Sequence, residues 1–407
     1  MVVIKRRANG TDTPKKEQGD STASSKSTSR ETAVQDVPPE PDKGGRCSGV
    51  LKYIVLVLLV PAFLNHAALY REAIGLKPQG ELYDIGFGQK MFMGCVGQGK
   101  PTIILDAPTG MSSDAWTLVV PKLARISTVC FFDRAGLGFS DRPFINRSKE
   151  NVKDKNRGAP STTERMTEDF HRLFTASSTQ AKPFILVGSE IGAANARFYA
   201  QLFEDRVAGL ILINPLIEDM FIGERYPWTG LWLRNHISGL QALQFSAAIG
   251  VSRLAFIFGL MKTPINHTIV ADDVTARQKY LMCKPGHLSS AVDEYFFANE
   301  SLSQLKTLSK LKRFDPNNVK TSVLISKTYN KRADDVINKE WQTAKGLVEK
   351  FFSSSGAENF IHLPGSADAA LFEHSKTIAS VIEKHVKIWR MKKNPQQAQQ
   401  NIKSFSM

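Results

Sequence analysis

The chain has 407 residues, 42% of them hydrophobic, and a formal net charge of +14. This length and composition allow a large buried core and exclude a wholly disordered chain. The basic residues are spread along the sequence and form no DNA- or RNA-binding motif, so we expect a solvated basic surface and no nucleic-acid partner. The four cysteines form no CxxC pair and no cysteine–histidine cluster. We therefore predict neither a metal site nor a cofactor.

The composition changes abruptly near residue 49. Residues 1–48 are rich in Ser, Thr, Lys, Glu and Pro without apolar periodicity, which predicts a disordered tail. Residues 49–70 contain an uncharged apolar run at 53–64. As a helix this segment would span a bilayer core of roughly 30 Å. A buried core helix is the alternative, because the strict run is short and contains Pro61. We predict a transmembrane signal-anchor at 49–70.

The flanking charges predict the orientation of this segment. Three basic residues, Lys43, Arg46 and Lys52, lie at its N-terminal end. Arg71 and Glu72 follow it, and their charges cancel. The positive-inside tendency then places the N-terminus in the cytosol and the rest in the ER lumen or outside the cell. Three glycosylation sequons lie on that far side, at Asn146, Asn266 and Asn299. We expect a type II single-pass glycoprotein.

Downstream of the anchor, apolar strands alternate with helices. Strands are predicted at residues 82–86, 90–95, 101–107, 128–133, 182–188, 207–214, 321–326 and 359–363, and helices at 166–177, 192–203 and 371–390. Continuous apolar strands between helices indicate an α/β fold with a parallel sheet covered on both faces. The predicted core has two parts, 78–215 and 306–390. A helical, aromatic insertion at 216–305 separates them, and a flexible tail follows at 391–407.

Three segments carry a resemblance to a known family. They are PTIILDAPTG at residues 101–110, CFFDRAGLGFS at 130–140 and LVGSEIGA at 186–193. In this order and spacing they resemble the α/β-hydrolase superfamily, in particular its esterase/lipase-like branch. The resemblance covers about residues 80–390. It implies a mostly parallel eight-stranded sheet with helices on both faces, and it makes residues 216–305 the helical cap.

The resemblance implies a nucleophile on the turn after the fifth strand, in a G-x-nucleophile-x-G pattern. Here Gly188, Ser189, Glu190, Ile191 and Gly192 occupy the pattern. Both glycines are present, but Glu190 stands at the nucleophile position, and the serine comes one residue early. Some relatives use Asp at this position. Glutamate is one methylene longer and would misplace its carboxylate by about 1 Å, an error that costs much of the rate.

The catalytic histidine of the family is also replaced. Counting back five residues from Glu373 reaches Asp368, where the resemblance implies the histidine. His362 and His374 lie on either side of this position and would need a shift of register to serve. Without an imidazole, neither a serine nor a carboxylate mechanism has its usual base.

The acid and the oxyanion donor also differ from the family. Tyr329 or Asn330 stands at the acid position after the seventh strand, although Glu218 follows the sixth strand, where some members place the acid. Pro108 aligns with the residue whose backbone N–H helps to form the oxyanion hole, and proline has no N–H. A register shifted by one residue would make Thr109 the donor instead.

Two further expectations depend on the resemblance. The strand order of the family places Cys95 and Cys130 side by side, where a luminal domain could form a disulfide; two buried thiols are the alternative. A pocket between core and cap would be lined by Pro108, Ser189, Glu190 and Ile191.

These substitutions predict a pseudo-hydrolase that lacks the Ser-His-Asp triad and binds a lipid-like small molecule or a protein partner. One alternative is a membrane-bound ester or lipid hydrolase that uses Glu190 in an unorthodox site. The other is an adhesion or scaffold ectodomain. An imidazole within about 3 Å of Glu190 would favour hydrolysis. A filled pocket would favour the scaffold, and an open apolar pocket the ligand-binding protein.

Overall fold

A computed structural model of the chain describes residues 44–143, 161–177, 182–221, 227–265, 268–312, 319–331, 336–354, 357 and 359–393. The chain divides into two units, residues 1–51 and 52–407. The described part of the first unit, residues 44–51, is helical. The predicted sequons at Asn146 and Asn266 and most of both predicted tails lie outside the described residues.

Eight strands form a single sheet. They are β1 (Glu81–Asp84), β2 (Lys90–Val96), β3 (Thr102–Asp106), β4 (Val129–Phe132), β5 (Phe184–Ser189), β6 (Val207–Ile213), β7 (Lys320–Thr328) and β8 (Asn359–Ser366). Their order is β1-β2-β4-β3-β5-β6-β7-β8. The β1–β2 and β2–β4 pairs are antiparallel and the remaining pairs are parallel. This arrangement confirms the predicted mostly parallel eight-stranded sheet.

Thirteen α-helices occur in the described residues. They are α1 (Gly44–Gly75), α2 (Val120–Leu123), α3 (Thr163–Ser177), α4 (Ile191–Leu202), α5 (Pro227–Leu231), α6 (Ser238–Ala248), α7 (Val251–Ile257), α8 (Asp272–Met282), α9 (Pro285–Phe296), α10 (Ala298–Leu311), α11 (Val336–Ser354), α12 (Ala370–Glu373) and α13 (Ser375–Lys393). A π-helical stretch, Trp232–Ile237, joins α5 to α6.

Side chains alternate between the two faces of the central strands, and each face buries its own apolar cluster. In β3, Ile104 belongs to one cluster, whereas Ile103 and Leu105 belong to the other. The first cluster includes Tyr199 of α4, and the second includes Ile378 of α13. Because helices cover both faces, the central strands read as continuous apolar runs.

Several element boundaries differ from the predictions. Helix α1 begins at Gly44 and ends at Gly75, so it is longer than the predicted segment 49–70. Helix α10 continues to Leu311, past the predicted end of the cap at residue 305. It packs against the core, where the Thr163 N–H donates to the Ser301 hydroxyl over 3.0 Å. Helix α11 was not predicted. The predicted helix 371–390 is interrupted at His374, where α12 ends.

Helix α1 is strongly apolar on its surface. Among the described residues, it is the one unbroken helix long and apolar enough to cross a membrane, over Val55–Gly75. Its Tyr53, Val57 and Phe63 side chains are about 70% exposed, at 72%, 70% and 71%. Exposed apolar surface of this kind is typical of membrane-interaction and protein-interaction sites.

Cys95 of β2 and Cys130 of β4 form a disulfide. The two residues are direct partners in the antiparallel β2–β4 register, with Cα atoms 4.1 Å apart. The bond joins the antiparallel edge of the sheet to its parallel centre.

Candidate active-site pocket

The turn between β5 and α4 holds Glu190 in a strained conformation. Its φ is +51° and its ψ is −113°, a combination that costs a non-glycine residue free energy. The flanking glycines make this turn sterically feasible. A Cβ on Gly188 would lie 2.2 Å from the carbonyl oxygen of Gly192, and a Cβ on Gly192 would lie 2.6 Å from that of Ala107. The chain therefore keeps the sharp strand-to-helix turn of a nucleophile, with a carboxyl group at its tip.

The Glu190 carboxyl is almost completely removed from water. The residue is 8% exposed, and its Oε2 accepts the Thr109 backbone N–H over 3.3 Å. Burial raises the pKa of this carboxyl, as does the negative charge of Asp368, whereas the hydrogen bonding from Thr109 opposes the rise. A raised pKa keeps the group protonated at higher pH, so it can donate a hydrogen bond, and a smaller fraction of it is the anion that could act as a nucleophile.

The backbone N–H that reaches this carboxyl belongs to Thr109. The structure thus favours the register in which Thr109 is the oxyanion-type donor over the register that assigned Pro108. Pro108 still lines the pocket, and its carbonyl accepts the Arg134 side chain over 2.8 Å. A backbone N–H therefore lies beside the turn at Thr109, the alternative position in the sequence analysis, and it is bonded to the Glu190 carboxyl.

The three other family positions converge on the same place. Asp368 lies in a short 3₁₀ turn, and its backbone N–H donates to the carbonyl of Tyr329 over 3.2 Å. Asp368, Tyr329 and Asn330 line one cavity with Glu190. Ser189 and Ile191, which were also predicted to line it, are buried and do not face it.

His362 and His374 lie away from this cavity. His362 is on β8 with an exposed side chain, and its Nδ1 is 3.8 Å from Glu349 Oε1. His374 ends α12, and it is not part of the cavity wall. Neither imidazole is placed to activate a water molecule beside Glu190.

A cavity of about 1250 Å³ lies above Glu190, between the core and the cap. Apolar side chains from the cap form much of its wall, namely Leu240, Leu243, Ile269, Met282 and Leu288. The cavity is thus open, and its volume is large enough for a ligand of drug size or larger. Another groove, of about 620 Å³, lies between α3, α4 and α10 and includes none of the residues of the turn.

Comparisons with known proteins agree with this architecture. A family model described as alpha/beta hydrolase fold matches residues 102–246. Cfl2 from Burkholderia cenocepacia is 19% identical over 75% of this chain and 94% of its own, with a TM-score of 0.50. The chain has the α/β-hydrolase fold.

Two further solved structures are similar to it. The epoxide hydrolase CorEH is 18% identical over 75% of this chain and 98% of its own, with a TM-score of 0.52. A putative lipase from Acinetobacter baumannii is 16% identical over 81% of this chain and 97% of its own, with a TM-score of 0.52. At these identities the similarity establishes the fold alone. No curated protein matches the sequence.

A buried ion-pair network supports the Thr109 side of the α/β-hydrolase site. The Arg134 guanidinium contacts Asp106 Oδ1 at 2.5 Å and Glu294 at 2.6 and 2.7 Å. Glu294 lies in α9 of the cap, and its Oε2 also accepts the Gly110 N–H over 2.7 Å. Sequence reasoning could not identify Glu294, because its partners Arg134 and Gly110 come from distant segments. The network joins the cap to the loop that carries Thr109.

A second set of residues missed by sequence reasoning surrounds the cavity. The ring of His236 stacks on Tyr295 at 4.9 Å, and its Nε2 lies 3.0 Å from the Tyr329 hydroxyl. Burial lowers the pKa of His236 to about 4. Burial and the Glu190 charge raise the pKa of both tyrosines. Near neutral pH an uncharged tyrosine hydroxyl and an uncharged imidazole therefore share this hydrogen bond.

His287 is the other imidazole in the cavity wall. Its Nδ1 accepts the Gly138 backbone N–H over 3.1 Å, and burial lowers its pKa to about 3. The described residues contain no group of three or more His, Cys, Asp or Glu side chains arranged to hold a metal ion. In the described part of the chain, the Glu190 carboxyl accepts its hydrogen bond from the Thr109 backbone N–H rather than from an imidazole.

Proposed function

We propose that this protein binds a lipid-like ligand in the cavity above Glu190 and does not hydrolyse esters by a Ser-His-Asp mechanism. The observation that carries the proposal is a buried glutamic acid at the nucleophile turn, beneath an open cavity. A hydrolase with this arrangement would lack both the serine and its base. A protein that only binds needs neither.

The walls of the cavity suit an amphipathic ligand. The cap contributes aliphatic side chains, whereas the floor holds the Glu190 carboxyl and the edge holds Asn330 and Asp368. A protonated Glu190 can donate a hydrogen bond to a carbonyl or hydroxyl oxygen of a head group. The alkyl part of the ligand would then lie against Leu240 and Leu243. The open cavity supports ligand binding over the scaffold function, for which a filled pocket was expected.

The proposal includes a membrane anchor and a luminal or extracellular domain. The length and exposed apolar surface of α1 support the anchor, and the basic residues before it support a cytosolic N-terminus. The Cys95–Cys130 disulfide supports an oxidising compartment. Asn299 is exposed at the start of α10, where it could carry a glycan. A protein partner on the same domain remains compatible with this topology.

Binding and turnover are tested on the full chain in phosphatidylcholine nanodiscs. We would measure retention of a fluorescent monoacyl lipid and release of p-nitrophenol from a medium-chain ester. We expect saturable lipid binding without turnover, and weaker binding by Glu190→Leu, which fills similar space but cannot form a hydrogen bond. The exposed Glu383→Gln on α13 is the matched control and should bind as the wild type does. Absence of lipid binding by a folded wild-type protein would refute the proposal.

A second candidate function is carboxylate-based hydrolysis. Glu190 occupies a strained turn beside the Thr109 N–H, and Tyr295 and Tyr329 are close enough for its charge to affect their pKa values. Glu190 would attack an alkyl carbon of the substrate and form an ester with it, while the bond from that carbon to the leaving oxygen breaks and the oxygen takes up a proton. A water molecule that gives its proton to His236 would then add to the carbonyl of this ester, which releases the alcohol and regenerates the Glu190 carboxylate. Turnover that Glu190→Gln abolishes, with a covalent adduct on Glu190 in the mass spectrum, would establish this reaction instead.

A further inference from the structure

The second half of α1 is bonded into the cap. Asn65 is 3% exposed, although it lies on an otherwise apolar helix. Its Nδ2 donates to the carbonyl oxygens of Ala247 and Cys283 over 2.9 and 3.0 Å. These two carbonyls belong to the ends of α6 and α8. A buried amide with both donor hydrogens satisfied fixes the position of α1 against the cap.

Helix α7 strengthens this contact. Arg253 donates through Nε to Asn65 Oδ1 over 2.8 Å and forms a two-pronged pair with Glu72, each N···O distance being 2.7 Å. Gly250, between α6 and α7, has a φ of +79°, and a Cβ there would lie 2.1 Å from the Pro61 carbonyl oxygen. The contacts thus extend from Pro61 to Glu72, roughly 16 Å along the helix axis at 1.5 Å per residue.

The cap exposes apolar side chains next to these contacts. Around α7 and its two ends, the exposed fractions are 66% for Phe245, 45% for Val251, 69% for Ile257, 71% for Phe258 and 81% for Leu260. The two helical segments Trp228–Ala248 and Val251–Ile257 meet at 87° and together are long and apolar enough to enter a membrane. We call residues 245–260 the cap elbow.

The cap elbow is also adjacent to the cavity. Leu240 and Leu243 of α6 line the cavity, and Phe245 of the same helix is exposed to the outside. Ile269 lines the cavity while being 45% exposed, so the cavity has an apolar edge on the cap surface. The exposed Arg234 lines the same cavity and can meet a charged head group.

We propose that the cap elbow lies in the bilayer beside α1, so that the cavity takes its ligand from the membrane rather than from water. This inference rests on the proposed function, because it assumes that α1 enters the bilayer and that the ligand is lipid-like. The partner is the membrane that holds α1. The argument for it is continuity, since the α1 residues bonded to the cap lie in the same helix as the exposed apolar residues near Val57 and Phe63.

The test measures the depth of single labels in the full chain. An environment-sensitive fluorophore would be attached to Phe258→Cys or Leu260→Cys, in a Cys47→Ser background, in phosphatidylcholine nanodiscs. Phe63→Cys on α1 is the reference for a lipid-exposed site. Leu311→Cys on α10 is the control, because Leu311 is apolar and 81% exposed, as Leu260 is. Quenching by nitroxide-labelled lipid is compared with quenching by iodide.

The expected result is a lipid-to-iodide quenching ratio several-fold higher at Phe258 and Leu260 than at Leu311. Iodide accessibility at the cap elbow equal to that at Leu311 would overturn the inference. If that happens, strong lipid quenching at Phe63 would still support the insertion of α1 in the bilayer. Weak lipid quenching at Phe63 would overturn the membrane anchor as well. Binding of a monoacyl lipid in detergent reports on the cavity itself, so a failed inference and a failed proposed function give different results.

A second experiment tests the entry of the ligand. Replacing Ile257, Phe258 and Leu260 together with serine changes exposed side chains and leaves the Asn65 and Arg253 contacts intact. Transfer of a fluorescent monoacyl lipid from vesicles into the protein should slow several-fold, whereas equilibrium binding in detergent should stay unchanged. Unchanged transfer from vesicles would contradict the proposed route.

Discussion

Removing the Glu294 carboxylate is expected to destabilise the protein strongly. In the Glu294→Ala variant, Arg134 would lose contacts at 2.6 and 2.7 Å, and the Gly110 N–H would lose its acceptor at 2.7 Å. The Arg134 and Glu294 side chains are only 3% and 2% exposed, so water cannot replace these bonds without opening the structure. Breaking a buried, hydrogen-bonded ion pair by deleting one partner costs about 3–5 kcal/mol. We therefore expect a loss of that size in the free energy of unfolding.

The assay is urea unfolding of the full chain in detergent, followed by tryptophan fluorescence. The matched control is Glu300→Gln, which changes an exposed glutamate on α10. The double variant Arg134→Met/Glu294→Leu should not restore this stability, because it leaves the buried Asp106 carboxylate without its ion pair to Arg134. A loss below about 1 kcal/mol in Glu294→Ala, the range of an exposed ion pair, would refute the reasoning.

Four further outcomes are expected. Because burial raises the pKa of the Glu190 carboxyl in the folded protein, the wild type loses stability as the pH rises above the ordinary glutamate pKa and through the raised one; thermal melts should therefore show Glu190→Gln gaining stability over the wild type as the pH rises. Gly192→Ala would place a Cβ 2.6 Å from the Ala107 carbonyl oxygen and should cost about 1–3 kcal/mol in urea unfolding. Replacing both Cys95 and Cys130 with serine should cost about 2–4 kcal/mol in the same assay, and no change would contradict a structural disulfide. Asn299→Gln should lose an endoglycosidase-sensitive gel shift if the domain is luminal, and a wild-type chain without that shift would count against the topology.

The sheet could be predicted because the residue pattern of each strand lies within a short stretch of sequence. Continuous apolar strands separated by helices specify a parallel core whatever the distant segments do. Helix α11 was missed although its sequence carries the signal, since apolar residues recur at helical spacing at Ile337, Trp341, Ala344, Val348 and Phe352. The interruption at His374 was also missed, since it depends on how α12 and α13 pack rather than on a helix-breaking residue.

The site was predictable where it follows backbone motifs. The glycine spacing placed Glu190 on the turn, and alignment to the family placed Tyr329 and Asp368 around the same cavity. The cap residues His236 and Tyr295 could not be found in this way, because their approach to Glu190 depends on how the insertion folds over the sheet. Likewise, the sequence alone could not decide whether Pro108 or Thr109 occupies the donor position, because this depends on which backbone N–H points toward Glu190 in the folded chain.

The bonding of α1 to the cap affects how a soluble fragment of this protein would behave. A fragment that starts after Glu72 lacks Asn65, so the carbonyls of Ala247 and Cys283 lose the Asn65 amide as a donor, and Arg253 loses its acceptors on Asn65 and Glu72. Proteolytic cleavage at that point would therefore release a domain whose cap has lost its hydrogen bonds to α1. Conversely, a cut in the short connection between α1 and β1 would leave the helix held by the same bonds. The stretch of α1 from Pro61 to Glu72 is thus a part of the folded domain and not only a covalent extension of it.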